Sequence, residues 1–184
     1  MKAHVATAQQ SQLVIIDMQV KLASAMPKDD MQATIKNCGI LVQAAKLLSV
    51  QLIVTEQYPQ GLGATLQDIS QHFVKVKAIA KTAFSAYGEP KFKQQLQRDK
   101  SVIILMGMET HICVLQTALA LQAIGKQVFV VEDAVISRAP SNKSNALARL
   151  RDAGCIISNT ESVLFEWLSD ANHEVFKVIS KLVR

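Results

Sequence analysis

Four short apolar runs divide the chain: Gln12-Leu-Val-Ile-Ile-Asp17, Leu52-Ile-Val-Thr55, Ser101-Val-Ile-Ile-Leu-Met106 and Gln127-Val-Phe-Val-Val131. Each is too short for a comfortable helix and too continuous for a half-exposed strand, so each reads as a strand buried on both faces. Cys155-Ile-Ile-Ser158 reads as a short last strand, and residues 73–80 alternate in part, as an edge strand or an irregular segment does. Between the runs the period lengthens to that of a helix. Ile35, Cys38, Ile40, Leu41, Ala45 and Leu48 form one inward face behind a cap at Asp29 or Asp30. A short helix is predicted over 65–70, and another over 90–98 with Pro90 in its first turn.

Ile112, Leu115, Leu119 and Ala123 recur at helical spacing up to Gly125. Ala146, Leu147 and Leu150 do so behind Ser141 or Asn142, stopped by Gly154. Two more helices, roughly 160–168 and 171–182, close the chain. Strands alternating with helices predict a three-layer α/β/α, Rossmann-like domain with a mostly parallel sheet covered on both faces. Strand order is not readable from this pattern. At 184 residues, with no repeat or linker, residues 1–184 read as one domain.

Composition narrows the function classes. Apolar residues at 49% and charged ones at 19% suit a packed core and exclude a disordered chain. The longest apolar runs fall far short of the ~20 residues of a spanning helix, so no membrane partner is expected. Residues 1–12 lack an apolar signal core, and three widely spaced cysteines (Cys38, Cys113, Cys155) form no disulfide framework. Both point to the cytoplasm. The net charge of +5 comes from scattered lysines and arginines without aromatic interleaving, so no nucleic-acid partner is expected.

Candidate chemistry sits at the ends of the runs. Asp17 closes the first, at the sheet edge where open α/β folds bind ligands. Lys81 follows the 73–80 segment, ahead of a small-residue turn. After the 101–106 run comes Gly107-Met-Glu-Thr-His-Ile-Cys113, a strand-to-helix turn with Thr110 as the expected cap and Cys113 as the third helical residue. A thiol there, among first-turn amides, is expected to ionise more readily than a free cysteine. Cysteine as nucleophile, aspartate as base and lysine as electrostatic stabiliser make a chemically coherent trio. Free amides near Cys113 would receive an oxyanion.

These residues resemble the isochorismatase-like cysteine hydrolases. The matching pieces are Val14-Ile-Ile-Asp-Met-Gln19, Lys81-Thr-Ala-Phe-Ser85, Gly107-Met-Glu-Thr-His-Ile-Cys-Val114 and Val131-Glu-Asp-Ala-Val-Ile-Ser-Arg138. Thr55-Glu-Gln-Tyr-Pro-Gln-Gly-Leu-Gly63 is similar to the isochorismatase domain-containing subgroup. The resemblance implies a six-stranded sheet and a catalytic triad of Asp17, Lys81 and Cys113. It also implies a cis Met108–Glu109 peptide and an oxyanion hole from the Glu109 and Cys113 amides.

Gln19, Tyr58, Phe84 and His111 flank the triad and are expected to line the substrate cleft. Nicotinamidases of this superfamily hold a metal through histidines after the second strand. This chain has none there, so neither metal nor other cofactor is expected, and the partner is a small-molecule substrate. Apolar residues of the last two helices, with the habit of relatives, suggest a homo-oligomer. The leading reading is an amide or C–N hydrolase working through a Cys113 thioester. A binding protein retaining the triad, or a redox sensor, is the alternative.

Overall fold

The computed structural model describes residues 5–73 and 75–184. Part of the leader expectation (residues 1–4) and Val74, within the 73–80 segment, lie outside it. In chain order the elements are β1 (Ser11–Ile16), α1 (Val20–Ala23), α2 (Lys28–Leu47), β2 (Gln51–Gln57), α3 (Pro59–Leu62), α4 (Gln67–Ser70), β3 (Ile79–Lys81) and α5 (Pro90–Gln95). There follow β4 (Val102–Met108), a π-helical turn (Thr110–Val114) running into α6 (Leu115–Ala123), β5 (Gln127–Ile136), α7 (Pro140–Asp152), β6 (Ile156–Ser158), α8 (Thr160–Leu168) and α9 (Phe176–Leu182).

All strand pairs are parallel, and the sheet order is β3-β2-β1-β4-β5-β6. β1 is therefore flanked by β2 and β4, and the chain changes direction across the sheet between β1 and β4. In open α/β sheets the crevice for a ligand forms at that switch point, beyond the carboxyl ends of the strands.

Side-chain alternation along each strand builds two cores. Leu13, Ile15, Val54, Ile104, Met106 and Phe129 face α2, α8 and α9, meeting Leu41, Val163, Leu164, Trp167 and Ile179. Val14, Ile16, Ile53, Ile103, Leu105 and Val130 face the other way, onto Phe92, Leu115, Ala118, Leu121 and Leu150 of α5, α6 and α7. Both faces of the sheet are buried, which is why the strands read as unbroken apolar runs. Most of the apolar surface of the last helices is thus used within the chain. Phe165 remains 40% exposed and stacks edge-on with Phe176.

Several boundaries differ from the sequence pattern. Helix α2 is capped by Pro27, with Asp29 and Asp30 inside its first turn, where carboxylates oppose the positive end of the helix dipole. Helix α7 begins at Pro140, the residue preorganised for a first helical position, ahead of the expected cap. The final helix starts only at Phe176; residues 170–175 are turns, stitched by Asn172 N to Asp170 Oδ1 (2.7 Å).

Strand β5 continues five residues past the apolar run. Its register against β4 jumps from Leu105↔Val130 to Gly107↔Val135, so it arches outward near Asp133. The arch is pinned from both sides. Asn37 donates to the Asp133 carbonyl (2.8 Å), and the Asp133 carboxylate accepts from Thr160 N and Oγ1 (2.8 and 2.9 Å).

Candidate active site

Asp17 is the first residue beyond β1. Its N–H still bonds the Thr55 carbonyl (3.2 Å), extending the β1–β2 ladder, but its φ of 51° turns the chain sharply out of the sheet. Aspartate tolerates that left-handed conformation better than most residues. The Ile16↔Thr55 register brings Thr55 alongside, and Thr55 Oγ1 donates to Asp17 Oδ1 at 2.7 Å. Lys81 ends β3, two strands away. Its ammonium reaches back over β2 to Asp17 Oδ2 at 2.7 Å, with both side chains fully buried. Gln57 Oε1 (2.6 Å), Ala83 O (3.2 Å) and Phe84 O (3.1 Å) also accept from it. Every neighbour of the ammonium is an acceptor, so Lys81 acts as a cation and donor.

Across the switch point, Gly107 makes the close approach possible. It pairs with Ile16 at φ 124°, and a Cβ there would sit 2.0 Å from the Ile16 carbonyl oxygen. Only glycine permits β1 and β4 to meet this way while β4 turns into the loop that leads to Cys113. The Met108–Glu109 peptide is cis. The turn that follows is π-helical, with Val114 N bonding Glu109 O (3.3 Å), and it carries Cys113 as its fourth residue. Glu109, not Thr110, is therefore the cap, because the chain enters helical geometry one residue earlier than expected.

The Cys113 thiol lies near enough to the Asp17 carboxylate and the Lys81 ammonium for both to act on its ionisation. Its ionisation runs opposite to the expectation of an easily formed thiolate. Burial, then the Asp17 carboxylate, pushes the thiol up to about 12, against the smaller downward pull of Lys81. Desolvation disfavours the charged sulfur more than first-turn amides can favour it. The resting Cys113 side chain is a neutral thiol beside a carboxylate already paired with lysine.

The flanking residues divide. Gln19 is fully buried and spends its whole side-chain amide on the scaffold: Nε2 donates to Gln57 O (3.0 Å) and Gly63 O (2.6 Å), and Oε1 accepts from Gln57 N (2.7 Å). His111 is held between Ser137 Oγ (3.0 Å from Nδ1) and Asn142 Nδ2 (3.3 Å from Nε2), tying the π-helical turn that carries Cys113 to α7. Tyr58 and Phe84 lie on the surface, 55% and 54% exposed. Tyr58 also lines a hollow of about 270 Å³ with Pro59, Gln60, Ala80, Lys81, Thr82 and Glu89; Phe84, Gln19 and His111 do not.

The Glu109 carboxylate points away from the thiol, accepting from Arg138 N (3.1 Å), with Arg138 Nε 3.7 Å off. Among the described residues, no group of three or more histidines, cysteines, aspartates or glutamates is placed to hold a metal ion. Thr55 and Gln57, which hold Asp17 and Lys81 in place, are not marked by sequence pattern. They lie in the 55–63 segment, but only the register of β2 against β1 and β3 reveals what they touch.

The cluster lies at the switch point of a six-stranded parallel sheet, and comparison with known proteins gives the family to which the chain belongs. The isochorismatase domain family matches residues 11–162, and the chain belongs to that family. Isochorismatase domain-containing protein 2 of Bos taurus is 38% identical over 95% of this chain and 83% of its own length. The secreted isochorismatase effector Isc1 of Phytophthora sojae is 40% identical, over 82% and 74% respectively. Among solved structures, MAR1 ribonuclease from Caenorhabditis elegans superposes with a TM-score of 0.92 at 33% identity, covering 97% of this chain and 92% of its own.

Proposed function

We propose that this chain is a cysteine hydrolase of small amides or related C–N bonds. The observation that supports the reading is a buried Asp17–Lys81 ion pair, both of whose members act on the ionisation of the Cys113 thiol. Because the thiol is neutral at rest, attack and deprotonation go together. Cys113 Sγ adds to the carbonyl carbon as its proton passes to Asp17 Oδ2, and the carbonyl electrons move onto oxygen. The Glu109 and Cys113 amides are the oxyanion hole in this proposal. Collapse breaks the C–N bond, and the amine leaves with the proton from Asp17. Water then attacks the thioester carbonyl, again giving its proton to Asp17. The second collapse releases the acid, and the proton returns to sulfur. Lys81 keeps the Asp17 side of the cycle electrostatically balanced throughout.

The raised thiol supports acyl transfer over oxidant sensing, since sensor cysteines are accessible thiolates. Cys113 is only 6% exposed, which suits a small group entering the site. The three cysteines are buried and form no disulfide with one another, which supports a reducing compartment such as the cytoplasm. Among the described residues no helix is long and apolar enough to cross a membrane. Val20, Tyr58 and Phe84, exposed on the segments that follow β1, β2 and β3, favour a second copy of the chain covering the site mouth.

The test is a panel of small amides with the purified protein, its C113A and D17N variants, and intact-mass detection of an acyl adduct. Turnover with an adduct on Cys113, lost in both variants, supports the reading. Turnover that survives in C113A removes it. RNA belongs in the panel as the control suggested by the C. elegans relative, and light scattering reports the assembly.

A further inference from the structure

Another hollow, of about 310 Å³, lies apart from the triad. It runs between one face of α2, from Asp30 to Asn37, and one face of α7, from Pro140 to Leu147, with Asp133 of the β5 arch also lining it. None of Asp17, Lys81 and Cys113 does. On both helices the lining positions fall three, four and seven residues after the first, so each helix presents a single stripe. The volume is at the lower end for a small-molecule site, which suits a ligand of a few heavy atoms.

Most polar groups of the walls are spent on the walls. Thr34 Oγ1 donates to Asp30 O (2.8 Å), Ser144 Oγ to Pro140 O (3.1 Å) and Asn37 Nδ2 to Asp133 O (2.8 Å). The Asp133 carboxylate accepts twice from Thr160 (2.8 and 2.9 Å). Lys143 is different. It lines the hollow half-buried, and among the described residues no hydrogen bond or close ion pair holds its side-chain nitrogen. Burial keeps the amine below the usual lysine range, against the opposite pull of Asp30, Glu132 and Asp133. A desolvated lysine is a nucleophile at neutral pH. Simple ions do not suit the space: three carboxylates repel an anion, and the lysine repels a cation. A neutral group that bonds the amine covalently meets neither obstacle.

We propose that the hollow between α2 and α7 captures small neutral aldehydes as a reversible imine on Lys143. The neutral Nζ gives its electron pair to the carbonyl carbon, and the C=O π electrons move onto oxygen. Nitrogen passes its two protons, one after the other, to that oxygen, which leaves as water while the C=N bond forms. One amine and one aldehyde thus give one imine and one water, with no oxidant or reductant. When the imine is protonated it is a cation, and Asp30, Glu132 and Asp133 stabilise it. Ala33 and Leu147, also in the lining, offer apolar contact to a short carbon chain. Aldehydes that carry a carboxylate are disfavoured by the same three acidic groups. Nothing in this step involves Cys113.

The test uses butanal at neutral pH with sodium cyanoborohydride, which reduces the imine to a stable secondary amine. Wild type, A33L and C113A are treated, and each lysine is read by peptide mass. Lys143 is expected to be alkylated about tenfold faster than the exposed Lys46 and Lys91, the direction in which burial moves its amine. Its rate should level off with butanal concentration, as binding before reaction requires, while those of Lys46 and Lys91 rise linearly. A33L adds bulk to the lining and should bring Lys143 down to the level of the exposed lysines, leaving their rates unchanged. C113A should match wild type. Glyoxylate, an aldehyde with a carboxylate, should show no preference for Lys143. A Lys143 no faster than the exposed lysines, a rate that stays linear, a preference kept in folded A33L or with glyoxylate, or one lost in C113A would overturn the proposal. If A33L does not fold, the concentration dependence in wild type decides alone.

Discussion

Lys81 Nζ and Asp17 Oδ2 lie 2.7 Å apart with both side chains fully withdrawn from solvent, although 64 residues and an intervening strand separate them in the chain. Removing two charges from water is costly, and their mutual attraction offsets that only when the remaining hydrogen bonds are made. Here Thr55 supplies the bond to Asp17 Oδ1, and Gln57, Ala83 and Phe84 accept from the ammonium.

Breaking that pair from the lysine side leaves a buried carboxylate without its ion partner. K81M should lower stability by about 3–5 kcal/mol in urea denaturation. D17N, which keeps the shape and an acceptor oxygen, should cost less. Equal losses would mean that the pair is held by packing and not by charge.

The thiol gives the sharpest separation of base from bystander. Asp17 raises the Cys113 pKa and Lys81 lowers it. D17N should therefore shift the pH profile of Cys113 alkylation to lower pH, while amide turnover falls by roughly 10²–10⁴. A variant with a more acidic thiol and intact turnover would show that Asp17 is not the proton acceptor.

Stability at alkaline pH follows from the same residue. The folded thiol titrates near 12 against an ordinary value of 9, so the fold favours its neutral form. That contribution is complete below pH 9 and is lost as pH rises from 9 towards 12. The loss approaches ~1.4 kcal/mol per pH unit within that window. Denaturation of wild type and C113A from pH 8 to 11 isolates it, since Cys38, also raised by burial, is common to both. Parallel curves would contradict the shift.

Gln19 follows Asp17 closely enough to suggest a place at the substrate cleft, but its three short bonds make it a clamp between β2 and the loop after β1. Q19A should destabilise by about 2–4 kcal/mol, from backbone groups left unpaired. It should also depress turnover of every substrate alike. A change confined to the KM of one amide would return it to the binding site.

Gly107 admits no side chain. With φ at 124° and the Ile16 carbonyl oxygen 2.0 Å from where a methyl group would stand, G107A should cost about 4 kcal/mol or more, or prevent folding. A soluble, active G107A would show that β1 and β4 can separate without disturbing the site.

The apolar runs and helical spacings are enough to define a parallel, doubly covered sheet, because burial on both faces removes the alternation that a half-exposed strand would show. They also mark Asp17 and Cys113 as residues where a strand gives way to a turn. Lys81 is visible only as a lysine before small residues. That it folds inward over β2, and that Thr55 and Gln57 receive it and its partner, depends on strand order and register, which local periodicity does not encode. The same holds for the thiol. Its place on the first helical turn suggests easy ionisation, a local electrostatic argument. Tertiary packing buries it beside a carboxylate, and desolvation with like-charge repulsion outweighs the helix terminus and the lysine together. Sequence alone determined which chemical groups stand at the ends of the strands; the tertiary fold decided which of them touch, and in what protonation state they meet.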